Sequence, residues 1–239
     1  MLLWIIIVIS VISNAFFLGF RYARRIENKL EVPLSGKEHL YCLGDGITYG
    51  VGVLSNRRAF AWPYQLEVSL GAKWQVINYG TEDATLLNSR NNLKSGRAFQ
   101  VLSQMDHPRV LLMIGTNDSK LGTWHELRFE SEFASFLSQL RGFCSDLIVL
   151  LPVFVHPSHT SGKRDVRADI VKCIVQTEAE ICQDMNVPFI DLFHLSEMHP
   201  EWFCNDGIHL NRQGNRALAD AVFAGIQSLY RQTMEDTVI

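Results

Sequence analysis

Little in this sequence points to nucleic acid, metal or a disulfide scaffold. No basic stripe runs through it. The formal net charge is −3, whereas binding to a polyanion relies on clustered Lys and Arg, so no nucleic-acid partner is expected. The five cysteines, Cys42, Cys144, Cys173, Cys182 and Cys204, are odd in number, scattered and set mostly in apolar stretches. That is the pattern of buried thiols in a reducing compartment rather than of a disulfide framework, and none has the spacing of a zinc site. His156 and His159, or His194 and His199, stand without a carboxylate or cysteine at a matching ligand spacing, so neither a metal nor another cofactor is expected. Internal repeats and low-complexity tracts are absent, which excludes a solenoid or a disordered array.

Charge is also missing from residues 2–20, LLWIIIVISVISNAFFLGF. About twenty apolar residues can cross a bilayer as a helix. Arg21, Arg24, Arg25 and Lys29 follow at once, with no Lys or Arg before them. The sequence therefore predicts a single-pass anchor over 1–21, with the rest of the chain on the cytoplasmic side by the positive-inside rule. The competing expectation is a signal peptide and an exported, periplasmic domain. Ser13-Asn14-Ala15 faintly resembles a cleavage site, but a basic n-region is lacking. Residues 22–38, broken by Pro33 and Gly36, read as a juxtamembrane linker, 39–231 as one domain and 232–239 as a tail.

What the chain does have is ordinary globular composition, with 47% hydrophobic and 20% charged residues over 239 positions, enough for one full core. Apolar runs at His39–Asp45, Trp74–Tyr79, Arg109–Ile114, Leu147–Val155 and Pro188–Leu192 predict strands. Helical spacing appears at Trp62, Leu66 and Leu70, at Phe129, Phe133, Phe136, Leu137 and Leu140, at Val166, Ile170, Ile174 and Ile181, and at Leu218, Val222, Ile226 and Leu229. Residues 86–105 read as a weakly patterned helix. Short apolar strands alternating with amphipathic helices predict a parallel sheet covered on both faces, a flavodoxin-like three-layer α/β/α sandwich of about five strands. In such folds the site lies at the carboxyl ends of the strands.

Four polar segments stand at those ends or just before the last helix. They are Gly44-Asp45-Gly46-Ile47-Thr48-Tyr49-Gly50, Asn78-Tyr79-Gly80-Thr81-Glu82-Asp83-Ala84-Thr85, Gly115-Thr116-Asn117-Asp118 and Asp206-Gly207-Ile208-His209. In this order and spacing the chain resembles the SGNH, or GDSL-type, hydrolases, whose blocks read G-D-S-[IL]-[TS]-x-G, N-x-G-x-S-G-x-T, G-x-N-D and D-x-x-H. The resemblance covers roughly residues 39–231 and is defined further by Asp45, Gly80, Gly115 and Asp118. It implies acyl transfer on small acyl esters of carbohydrates or lipids, without a cofactor. His209 is then the general base, Asp206 its orienter, and Asn117 an oxyanion donor beside the backbone N–H groups of Gly46 and Asp83.

Two positions depart from the family pattern. Gly46 stands where the nucleophilic serine belongs, and Asp83 stands where a glycine belongs. Asp tolerates a left-handed backbone better than most residues, but its carboxylate, with that of Glu82, is expected to lie near the place where negative charge gathers. Three readings follow. One is a divergent esterase of strongly reduced activity, with water activated by His209. Another is a pseudoenzyme that binds or scaffolds, its two acids favouring a hydroxyl-rich or cationic ligand. The third is an engineered Ser→Gly form of an active esterase. Thr48, the nearest hydroxyl in the first block, is expected to point away.

Overall fold

The computed structural model describes residues 30–88, 90–156 and 166–236. The anchor expected over residues 1–21 lies outside this described part. Among the described residues no helix is long and apolar enough to cross a membrane. The chain divides between Val32 and Pro33, and the fold below is that of the larger unit.

Five parallel strands form its centre: β1 Glu38–Gly44, β2 Trp74–Gly80, β3 Arg109–Met113, β4 Asp146–Leu150 and β5 Phe189–Ile190, in the order β2-β1-β3-β4-β5. Successive side chains on a strand point to opposite faces. In β1, Leu40 and Cys42 join Leu111 and Met113 of β3 and Ile148 and Leu150 of β4 in one apolar cluster. Helices α3 (Trp62–Leu70) and α8 (Arg212–Asp236) supply its other half, through Trp62, Leu66, Leu218, Val222 and Ile226. The intervening residues Tyr41, Leu43, Val110, Leu112 and Val149 are buried as well. They face the opposite layer, where α5 (Glu126–Arg141) and α6 (Ala168–Asp184) pack together, with Phe129, Phe133, Phe136 and Ile174 buried. Both faces of the sheet are thus covered, which is why its strands read as nearly unbroken apolar runs.

Shorter helices complete the fold: α1 (Gly46–Tyr49), α2 (Arg57–Phe60), α4 (Arg97–Leu102) and α7 (Phe193–Glu197). Three sequence expectations are corrected. Residues 86–88 and 90–92 are not helical, and among the described residues of 86–105 only a single turn at Leu93–Ser95 and then α4 are helical. The N–H groups of Leu86 and Leu87 are taken by the Asp118 side chain, and Thr85 bridges to Asn92, so no helical ladder starts there. Strand β4 stops at Leu150, ahead of Pro152, which has no N–H to donate to a ladder. Val166 precedes α6 and faces the site described next. All five cysteines are free, but only Cys42 and Cys182 are fully buried.

The register sets the height of the strand ends. Gly44 pairs with Gly80 on one side and with Met113 on the other. The first three blocks therefore leave the sheet at one level, and β1 and β3 flank the switch point at which this strand order reverses.

Candidate active site

Asp45 follows β1 and caps α1, its Oδ1 accepting the Ile47 N–H at 2.9 Å. Burial pushes its carboxyl up to about 6, against the opposing pull of that hydrogen bond and of the His209 charge. Gly46 is the first residue of α1, so its N–H has no acceptor within the helix. Its backbone is not left-handed, and a Cβ built on it would lie 3.2 Å from Val51 Cγ2 and 3.6 Å from His209 Nε2. The conformation thus does not require glycine, and a side chain here would point at the imidazole. Thr48 is buried against Gly44, beneath the turn.

The second block is held against the first by close backbone approach. A Cβ on Gly80 would collide with the Tyr49 backbone, so only glycine allows this contact. Asn78 Nδ2 donates to Thr48 O at 2.8 Å, and its Oδ1 accepts the Gly80 N–H. Thr81 N donates to Gly44 O at 2.9 Å. Beyond the turn Asp83 adopts φ 56°, the left-handed conformation for which glycine is the usual residue. Its carboxylate is not turned onto the pocket unneutralised. Asp83 Oδ1 forms an ion pair with Lys120 Nζ at 2.8 Å, and the side chain is 55% exposed. Asp83 and Glu82 both line the pocket with Asn117 and His209, and the Lys120 ammonium stands against the Asp83 charge. Lys120, two residues beyond the third block, is its counterion and went unnoticed in the sequence.

In the third block Gly115 has φ 115°. Buried Asn117 donates from Nδ2 to Ala84 O at 3.2 Å, tying the third block to the second. Asp118 Oδ1 accepts the N–H groups of Leu86 and Leu87 at 2.9 and 2.8 Å. Burial pushes the Asp118 carboxyl up to about 7, although those two hydrogen bonds pull it down. Beneath Gly115 lies Glu178 of α6, fully buried, with neither carboxyl oxygen hydrogen-bonded; Asp118 Oδ2 is likewise without a partner. Burial, then the charges of Asp118 and Asp45, push the Glu178 carboxyl well above its ordinary value. No sequence motif had marked this residue.

The fourth block closes on itself. Asp206 Oδ1 accepts the N–H groups of Ile208 and His209 at 3.0 and 2.9 Å, and Oδ2 receives His209 Nδ1 at 2.6 Å. Partial burial alone would raise the Asp206 carboxyl, but the hydrogen bonds from the His209 ring and from those two N–H groups outweigh it and hold it well below its ordinary value. With Nδ1 on the carboxylate, Nε2 is the basic nitrogen, on the side of Gly46. A second D-x-x-H, Asp191-Leu192-Phe193-His194, repeats the same local contacts. His194 N donates to Asp191 Oδ1 at 3.1 Å, and Nδ1 meets Oδ2 at 2.6 Å. Its imidazole is 65% exposed, against 7% for His209. His199 pairs with Glu201. No group of three side chains among the described residues could hold a metal ion.

Gly46, Asp83, Asn117 and His209 line one cavity of about 60 Å³, together with Asp45, Glu82 and Thr116 and an apolar side formed by Ile47, Val51, Val166 and Ile208. A larger cavity, about 490 Å³, lies at the amino ends of β4 and β5, near Asp146, Pro188 and Tyr230. None of the four blocks reaches it. The smaller one is the candidate site, because an imidazole held by a carboxylate and an amide side chain converge there.

Residues 42–217 match the model of the GDSL-like lipase/acylhydrolase family. An acetylxylan esterase of Xylanibacter ruminicola is 26% identical over a 226-residue alignment that covers 83% of this chain; the chain spans 45% of that protein's length. An aryl esterase of M. smegmatis superposes with a TM-score of 0.63 at 20% identity, covering 80% of this chain and 99% of its own. A carbohydrate acetylesterase of Sinorhizobium meliloti does so at 0.63 and 19%, covering 81% and 100%. A lipase/acylhydrolase from Enterococcus faecalis gives 0.60 and 19%, covering 80% and 96%.

Proposed function

Because the chain belongs to the GDSL-like lipase/acylhydrolase family, we propose that its pocket receives a small O-acyl ester of a carbohydrate or lipid alcohol. We further propose that Gly46 occupies the nucleophile's seat, so that hydrolysis through an acyl-serine is lost. One observation carries this reading: the ideal Cβ at Gly46 points at His209 Nε2 from 3.6 Å, on a backbone that any L-residue can adopt. The Asp206–His209 pair would take a proton from an attacking group. The Asn117 amide and the N–H groups of Gly46 and Asp83 would receive the carbonyl oxygen. The acetyl esterases among its relatives favour a short acyl group, as does the cavity of about 60 Å³. Residues 2–20 would hold the domain at a membrane.

The test is ester hydrolysis by the chain and by Gly46→Ser, assayed side by side on 4-nitrophenyl acetate. Gly46→Ser should gain at least a hundredfold and become labelled by a fluorophosphonate, whereas the parent chain should stay unlabelled. A Gly46→Ser protein as inert as its parent would overturn the assignment of the seat.

A further inference from the structure

We propose that the space beside Gly46 is a seat for water, and that the chain hydrolyses short acyl esters in one displacement, with no covalent acyl-enzyme. The proposal rests on the reading above, that this pocket binds an acyl ester. Three observations favour water over an empty seat. The cavity of about 60 Å³ exceeds the roughly 10–15 Å³ that a single water needs. It is bordered by polar groups, His209 and Asn117 among them, which suits water better than a dry apolar void. The base is braced as an attacking group would require, its Nδ1 on Asp206 and its side chain almost fully buried.

The step balances without any further reagent. The water oxygen attacks the acyl carbonyl carbon while His209 Nε2 takes one of its protons. The tetrahedral oxyanion lies toward Asn117 Nδ2 and the Gly46 N–H. As it collapses, the bond from the acyl carbon to the alcohol oxygen breaks, and that oxygen takes the proton back from Nε2. The products are a short carboxylic acid and an alcohol, and nothing is oxidised or reduced. Val51 walls the seat 3.2 Å from where a Cβ at position 46 would lie. That distance is tighter than ordinary van der Waals contact, so on this side the seat takes no group larger than water unless Val51 gives way.

Three variants of the full chain test this on 4-nitrophenyl acetate, each checked for an unchanged melting curve. Losing the nucleophile of a serine triad leaves about 10³–10⁴-fold acceleration over water, supplied by binding and the oxyanion site. If His209 activates a seated water, His209→Ala should lower the parent's turnover about a hundredfold further. Gly46→Ala puts a methyl group into the seat and should lower turnover at least tenfold. Intact-mass spectra should show no acetylated parent, whereas Gly46→Ser should acetylate. A parent turnover unmoved by both His209→Ala and Gly46→Ala would overturn the proposal. So would a parent no faster than buffer beside an active Gly46→Ser, an outcome that leaves the proposed function standing. If parent and Gly46→Ser are both inert, the proposed function falls as well.

Discussion

Single residues decide what the pocket can do, and Asp83 is the one whose charge the structure reassigns. Lys120 is paired with its carboxylate, so under the proposed function the carboxylate should cost an oxyanion little. In a Gly46→Ser background, Asp83→Gly should therefore change turnover on 4-nitrophenyl acetate by less than about threefold, since exposed pairs are worth ~1 kcal/mol or less. Lys120→Met in the same background should lower it, by up to about fivefold. The reverse ranking would show that Asp83 acts on the oxyanion directly. The two D-x-x-H segments show how far such a motif is legible. Asp191–His194 and Asp206–His209 make the same bonds, because three-residue spacing alone lets a carboxylate reach the imidazole and its own backbone N–H. Burial against Gly46 separates them, and burial is set by where the strands put each loop. The four blocks in order single out the buried pair, Asp206 and His209, whereas Lys120 and Glu178 belong to no block.

At the level of elements, strands and amphipathic helices were readable because their burial repeats with a local period. Phe129, Phe133, Phe136, Leu137 and Leu140 all lie on the buried side of α5. The stretch that begins at Leu86 and Leu87 was unreadable for the opposite reason. The acceptor of those two N–H groups is Asp118, 32 and 31 residues away, and no local pattern reports that distance. The segment should depend on Asp118 accordingly. Asp118→Ala leaves two buried N–H groups without an acceptor, at about 1–3 kcal/mol each. Urea unfolding should show a loss of roughly 2–6 kcal/mol, and hydrogen exchange at Leu86 and Leu87 should quicken well beyond that at β3. Exchange that stays slow at those two amides would mean that another group holds the segment.

For the whole molecule, the buried carboxyls set how stability follows pH. Asp45, Asp118 and Glu178 all have folded values above their ordinary ones of 3.8, 3.8 and 4.5. Each holds its proton more tightly in the folded chain. The contributions of Asp45 and Asp118 are complete below about pH 4 and are lost as pH rises through about 6 and about 7, and that of Glu178 is lost in the same direction, well above its ordinary value. Asp206 works in the other direction, contributing above its ordinary 3.8 and failing only in stronger acid. The melting temperature should therefore fall between pH 5 and 8 (roughly the span of those titrations), and Glu178→Gln should flatten the fall. Parallel curves for parent and variant would remove Glu178 from the account. The full chain, assayed for its location, should stay in the membrane fraction after alkaline extraction, and a soluble native chain beginning near residue 16 would instead indicate a cleaved signal peptide. The closed bonding of the fourth block also bears on how the chain assembles. Asp206 and His209 meet across three residues, whereas Asn117 reaches Ala84 across 33 and Lys120 reaches Asp83 across 37. Short loops close at little entropic cost and long ones wait for the sheet. The Asp206–His209 pair can thus form in a chain still collapsing, while the contacts of Asn117 with Ala84 and of Lys120 with Asp83 exist only once β3 has docked beside β1.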